Sequence, residues 1–432
     1  MSPFVVPRSA GRVRLDPCSL FLIVPNAQAQ LPPEWPQATE GTQSAAAFWA
    51  VNCSDGMDAS RPFDRHLHAM LRVWITAEEP ETSMTSSMTI AVDLAKTVFE
   101  IAIADAEWRI VERHRLSRAQ FQTFFFNRES ATIVMEACGT AHFWGRWLTD
   151  LGFSVRLIPA HYARPYRRRN KNDAADAAAL VEAARNAEII DVPVKSADQQ
   201  AIQGLHRIRS QWMATRTARI NNLRGLLREQ GINIPVGAAT AVSAAPALID
   251  SDAVPAALRA ALQDIISEIH ELEARMKTVE RQLKQYAATS RDVQSIQQVP
   301  GVGLLTATAL VAAVGSPDNF RDGRHLAAWM GLTPRHVGSG HRMHRGGISK
   351  RGDRYLRMLL IHGARSVLIR AQLNAKSGQP LNRLQQWALD LRQRSNHNKT
   401  TCALANKLAR IAWAVWAHDR NFDGNHSLVQ AA

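Results

Sequence analysis

Met88-Thr-Ile-Ala-Val-Asp-Leu-Ala-Lys-Thr-Val-Phe-Glu-Ile-Ala-Ile103 carries the reading of the fold. It holds two apolar runs, Thr89–Asp93 and Val98–Ile103, and a third, Trp108–Glu112, follows at once. Runs this short and this close predict three strands in an antiparallel meander.

Outward from the meander the pattern alternates. A helix is predicted over 117–126, a buried-type strand over Ala131–Glu136, a helix over 141–151, a strand over Phe153–Ile158 and an Ala-rich helix from about 173 to 186. The order βββαβαβα implies an α/β domain, a mixed sheet with helices packed on it, over 88–190. A long helix follows over 198–230, with Leu205, Ile208, Trp212, Leu223 and Leu227 on its apolar face. After a Pro/Ala/Gly-rich linker at 234–255, apolar residues from Leu258 through Leu262, Ile265, Ile269, Leu272, Met276, Val279 and Leu283 to Tyr286 alternate spacings of four and three. That is a heptad seam. It pairs either with the preceding helix in one chain or with a second copy in a coiled coil, because a seam does not name its partner. Helical and coiled-coil segments therefore fill 191–290. A mainly α domain is expected over 291–420, and a tail over 421–432.

Residues 1–87 show no sustained period and end in the polar run Glu78–Ser87. They are expected to be disordered, or to come from an over-extended gene model whose true start is Met84 or Met88. The short run Leu20–Val24 imitates a signal peptide, but Pro25 breaks it. No stretch approaches the ~18 apolar residues of a membrane span.

The 432 residues carry 52 Lys+Arg against 38 Asp+Glu, a formal charge of +14 that favours an extended anionic partner, nucleic acid first. A high-Arg genome also makes proteins basic, so the placement of charge must decide. Four cysteines without a CxxC pair exclude a disulfide scaffold and a zinc finger and fit a reduced, cytoplasmic protein.

Four carboxylates stand where chemistry would need them. Asp93 ends the first strand and Glu136 the fourth; Asp173 and Asp176, three apart at a helix start, project from one face. Together they supply oxygen ligands for Mg²⁺ (or Mn²⁺), and two such ions ~4 Å apart activate a nucleophile and stabilise a leaving oxygen at phosphorus. Singly, each has a plainer explanation: a strand-end acid is often a solvated turn, and Asp173 suits a helix cap. Between the last strand and Asp173 lies a basic strip with interleaved aromatics, containing Arg164, Arg167, Arg168, Arg169 and Lys171, suited to phosphates and stacked bases or else simply a solvated loop.

Two later segments add to this. Val299–Leu310 is a Gly-rich turn feeding a helix, in which the amides around Gly301 and Gly303 suit a phosphate, as in helix-hairpin-helix elements; a plain tight turn is the alternative. Gly331–Arg357 sets Arg335, Arg342, Arg345, Lys350 and Arg351 among its basic residues against one acid, Asp353. Within it, Ser339 sits between Gly338 and Gly340, a backbone that lets a serine approach a substrate closely. It is either a nucleophile or a loop serine; Ser349 reads as a loop residue leading into a helix.

In this order, IAVDLAKTVFEIAI, VMEACGTAHFW, KNDAADAAAL, VPGVGLLTATAL and GLTPRHVGSGHRMHRGGISKRGDRYLRMLLIHGA resemble the DEDD transposases of the one-hundred-and-ten group of bacterial insertion sequences, with the Piv DNA invertases as kin. The likeness runs from about Met88 to Trp416. It implies an RNase H-like, specifically RuvC-like, fold with Asp93, Glu136, Asp173 and Asp176 as the four metal-site acids. It also implies Ser339 as a serine nucleophile that links transiently to DNA, and a structured guide RNA that selects double-stranded DNA at element ends and target. A dimer or tetramer joined by the coiled coil, in the cytoplasm at the nucleoid, completes the expectation. Where the family shows two adjacent serines, this chain has Gly338-Ser339. Two other readings stay open: a Holliday-junction-type nuclease in which water attacks, and an inactive nucleic-acid-binding protein.

Overall fold

The computed structural model describes residues 88–167, 172–339 and 342–425. The expectations for residues 1–87 lie outside them, as do those for Arg168, Arg169 and Lys171.

Five strands form one mixed sheet: β1 (Thr89–Leu94), β2 (Val98–Ala104), β3 (Ile110–Ser117), β4 (Thr132–Glu136) and β5 (Ser154–Ile158), in the order β3-β2-β1-β4-β5. The first three are the expected antiparallel meander, and β4 and β5 join parallel to β1. This order and polarity are compatible with an RNase H-like domain. One boundary moves. The third strand begins after Trp108, which lies in a turn at φ 64 closed by Asp105 and Arg109, and it runs on to Ser117. Ser117 then caps α1 (Arg118–Phe126), its hydroxyl accepting from the Gln120 N–H while Gln120 reaches back.

The two faces of the sheet differ in composition, which places the helices. Ile90, Val92, Phe99, Ile101, Ile103, Ile133 and Met135 face α1 and α2 (Ala141–Asp150) across a ring-rich core of Phe121, Phe125 and Trp144. Ala91, Ala102, Ala104 and Val134 face α3 (Asp173–Ala184), whose buried side is Ala177, Leu180, Val181 and Ala184. Alanine against alanine lets α3 lie close to the sheet, and that closeness brings its first turn to the ends of β1 and β4.

Beyond the sheet, α4 (Ala197–Glu229) and α6 (Ala256–Thr289) form a helical hairpin. Leu262, Ile269, Leu272, Met276, Val279 and Leu283 of α6 are buried. Three arginines of α4 pair with glutamates of α6: Arg209 with Glu280, Arg216 with Glu273 and Arg219 with Glu268. Within the chain the seam packs against α4, the first of the two partners its spacing allowed. The expected linker contains a helix, α5 (Ala238–Ile249), despite Pro246. Ala241, Ala245 and Ile249, one turn apart, cap the open end of the hairpin, and Ala-rich propensity outweighs the single proline.

The last segment is mainly helical, as expected: α7 (Arg291–Gln297), α8 (Leu304–Val314), α9 (Gly323–Trp329), α10 (Arg354–Lys376), α11 (Arg383–Gln393) and α12 (His397–Ala417) share one core. An antiparallel hairpin, β6 (Pro334–Ser339) and β7 (Arg342–Ile348), interrupts them where the sequence suggested only a loop. Glycine and basic residues mask strand periodicity, so the pairing was not legible. None of the described helices is long and apolar enough to cross a membrane.

Candidate metal centre and nucleic-acid surfaces

Strand parity builds the site. Asp93 follows Ala91 onto the α3 face of β1, and Glu136 follows Val134 onto the same face of β4, one residue past the last registered pair, Val92–Met135. Asn172, not Asp173, caps α3: its side chain accepts from the Ala175 N–H at 2.6 Å. Relieved of capping, Asp173 is exposed and Asp176, in the same first turn, is partly buried. The Arg113 guanidinium of β3 donates to the Ala174 carbonyl at 3.2 Å and so ties that turn to the sheet.

Burial pushes the Asp93 carboxyl up to about 6, and the negative charges of Asp176, Asp173, Glu136 and Glu100 push the same way. A carboxylate feels such neighbours only at short range. Asp176, Asp173 and Glu136 thus lie within electrostatic reach of Asp93. Glu100, directly opposite Asp93 in the β1–β2 register, is a fifth acid that sequence reasoning passed over. Its position could be read only with the hairpin register in hand. Arg115 stands 3.4 Å from Glu100, and the Arg167 guanidinium donates to Asp176 at 3.0 Å.

The donor set is all carboxylate oxygen, the chemistry a hard divalent cation selects. A site whose central acid resists ionisation is also one that a cation would stabilise. Among the described residues, however, no three His, Cys, Asp or Glu side chains already stand in position to hold an ion, and Arg167 occupies one of the oxygens. The donors fit by type and by shared face; closing them around a cation requires Asp176 to exchange its arginine.

The other predicted residues separate by role. Arg164 is exposed beside the site. Gly301, at φ +81, is explained by packing: a Cβ there would lie 2.7 Å from the Gly363 carbonyl of α10. Only Gly303 remains exposed, at the N-cap of α8. Ser339 ends β6 opposite Arg342; the side chains of Ser339, Arg342 and Arg345 lie outside the described part. Ser349 donates its N–H to the Thr333 carbonyl, and the loop after it runs into α10, capped by Asp353. Arg335, Lys350 and Arg351 are exposed around the base of the β-hairpin. Buried Arg357, a residue the sequence did not single out, holds that base by donating to the Met330 and Arg351 carbonyls.

Residues 90–231 match the DEDD IS110 family described as transposase, and residues 293–378 match the family described as transposase IS116/IS110/IS902. The chain is 40% identical to a probable family 20 transposase of Pseudomonas aeruginosa over 336 residues, covering 76% of this chain and 97% of that protein. It is 36% identical to the transposase for insertion sequence element IS1111A of Coxiella burnetii, covering 79% and 92%, and 34% identical to that for IS1328 of Yersinia enterocolitica, covering 76% and 96%. With two family matches and likeness spanning nearly the whole of each relative, the chain belongs to the IS110 family of transposases.

Proposed function

We propose that this chain cleaves and rejoins DNA strands at a divalent-cation site of Asp93, Glu136, Asp173 and Asp176, with Ser339 as the attacking hydroxyl. The observation that carries the reading is that Asp93 and Glu136 end neighbouring strands on the face that α3, with Asp173 and Asp176 in its first turn, covers in a chain of the DEDD family. Bound there, Mg²⁺ or Mn²⁺ would polarise a phosphodiester oxygen and offset charge building at phosphorus. The residues of the chain do the rest. Arg167 leaves Asp176 for the incoming phosphate. Ser339 forms a phosphodiester to one DNA end, while the displaced sugar oxygen takes up the proton the serine gave up. Basic residues at 164–171 and around the β-hairpin hold the backbone without reading its sequence. We further propose a RuvC-like identity for the sheet domain, a structured RNA as the selector of donor and target, and assembly as a dimer or tetramer through a surface other than the buried seam. Family membership and a net charge of +14 support these points.

Recombination between element-end and target plasmids, with flanking RNA supplied, tests the scheme. Wild type is expected to recombine, Asp93→Ala and Glu136→Ala to lose at least a hundredfold, and Ser339→Ala to form no covalent protein–DNA adduct. Cleavage that survives Ser339→Ala would transfer the attack to water and make the enzyme a nuclease. Activity indifferent to all three substitutions would defeat the mechanism.

A further inference from the structure

A groove of about 2060 Å³ lies in the C-terminal segment between α9, the base of the β-hairpin, α11, α12 and the chain after α12. Its charge is one-sided. From α12 come Lys399, Lys407 and Arg410; Arg335 and Lys350 flank the hairpin; Arg383 opens α11. Arg324 and Arg420 stand at its ends. Among the described residues none of these eight is in an ion pair. The groove holds two acids, and one of them, Asp322, is committed to capping α9 through the Arg324 and His325 N–H groups.

Cations crowded along a groove without counter-charges are unfavourable unless an anion comes to them. Lys407 shows the strain directly: burial, and then Arg410 one turn away, lower its affinity for its proton. Its ammonium lies 4.1 Å from the centre of the Trp387 ring, so the cation has been given an aromatic face in place of a carboxylate. Lys399 and Arg410 are eleven residues apart on one helix, about 16 Å, which spans several phosphates of an extended strand. The floor is small: Gly346, Gly347, Ala403 and Ala414 leave room for a backbone to come close. Trp387, Trp413 and Phe422 add partly exposed rings. Free cations along a helix, rings between them and a small-residue floor form the combination that holds an unpaired strand, whose bases have faces left to stack; a duplex offers none.

We propose that this groove binds a single-stranded segment of nucleic acid, its phosphates on Lys399, Lys407, Arg410, Arg335 and Lys350 and a base on Trp387 when Lys407 swings to a phosphate. The inference rests on the proposed function only in that the chain handles nucleic acid; it does not require the carboxylates or Ser339.

The test is fluorescence anisotropy of the full chain with labelled poly-dT and poly-U of about 12 nucleotides and with a duplex of the same length, titrated between roughly 50 and 200 mM salt. Lys407→Gln/Arg410→Gln is expected to weaken single-strand binding at least tenfold and to flatten the salt slope by about 1.4, roughly 0.7 for each lost phosphate contact. Arg335→Gln/Lys350→Gln, at the hairpin and outside α12, is expected to do the same. Trp387→Leu should weaken binding with the salt slope unchanged. Read in chelator, these affinities do not depend on a cation at the carboxylates, which separates failure of this groove from failure of the metal site. The tighter of the two single strands identifies RNA or DNA as the occupant. Single-strand affinity within twofold of wild type in both double variants overturns the proposal. So does equal weakening by Arg275→Gln/Arg281→Gln on the outer face of α6, or loss confined to the duplex.

Discussion

Asp93 shows how one side chain reports on its surroundings. Its carboxyl sits at about 6 rather than 3.8 because it is half-buried and ringed by like charges. In the folded state it therefore takes up a proton before the unfolded chain does. The cost of keeping it ionised is present in full above pH 6 and is relieved as pH falls from 6 toward 3.8. Asp93→Asn should accordingly stabilise the metal-free protein at pH 8 by on the order of 1–2 kcal/mol after allowance for solvent screening, seen as a higher melting temperature, and make no difference near pH 4. Differential scanning calorimetry in chelator across that range checks it; equal melting temperatures at pH 8 would mean that the acids are not sharing a site. Adding Mn²⁺ should stabilise wild type and leave Asp93→Asn unmoved. The two acids at strand ends were legible because a carboxylate after an apolar strand is expensive to place without purpose. Glu100 was not, because its opposition to Asp93 depends on register.

At the scale of elements, the α4–α6 hairpin sets packing against ion pairing. Arg216 and Glu273 are close, yet both are partly in solvent, where such a pair contributes about 0–1 kcal/mol. Leu283 is fully buried in the seam, and deleting its side chain leaves a cavity worth about 2–5 kcal/mol. Leu283→Ala should therefore destabilise the protein several-fold more than Arg216→Ala in denaturant unfolding. Because the seam closes within one chain, that loss should not vary with protein concentration; a concentration-dependent midpoint would return the seam to a homomeric coiled coil. The crossing of Gly301 and Gly363 makes a second element-level case. A Cβ on Gly363 would lie 1.9 Å from the Gly301 carbonyl. Gly363→Ala should cost more than about 3 kcal/mol in thermal unfolding, since backbone on both sides must move. The VPGVG stretch was legible as a turn before a helix, but not that Gly301 lies at a helix crossing, which depends on a residue far along the chain.

Across the whole molecule, α4 links the sheet to the C-terminal helices, and buried polar groups secure the joints. Arg146 of α2 donates to the Lys195 carbonyl and to Gln200 at the start of α4. Further along, the imidazole of His206 meets Thr308 of α8 at 3.0 Å and Tyr355 of α10 at 3.1 Å. Thr308 spends its proton on the Leu304 carbonyl, so His206 donates from Nε2 and Tyr355 donates to Nδ1. Burial holds His206 at about 4, and burial with Lys195 and Arg146 nearby holds His142 at about 4. Both must stay neutral for the joints to survive. Their contribution is intact above the unfolded value of 6.5 and is lost as pH falls toward 4, by on the order of 3 kcal/mol for His206. This runs against the gain from Asp93. Acidification from pH 7 to 4.5 should therefore weaken the protein overall, and His206→Gln, though less stable at pH 7, should lose less over that interval; an equal loss in urea midpoints at both pH values would remove His206 from the joint.

Local chemistry along the chain sufficed for the βββαβαβα order, the mixed sheet, the strand-end positions of Asp93 and Glu136 and the heptad helix, because strand and helix periods, strand-end charges and seam spacing are written within a few residues of one another. Folding alone settled which acid opposes which, that the seam finds its partner in α4, that residues around Ser339 pair as a hairpin and that eight cations from distant segments line one groove. Those outcomes depend on register and on contacts between residues far apart in sequence, where pairing energy is decided by what the rest of the chain brings alongside.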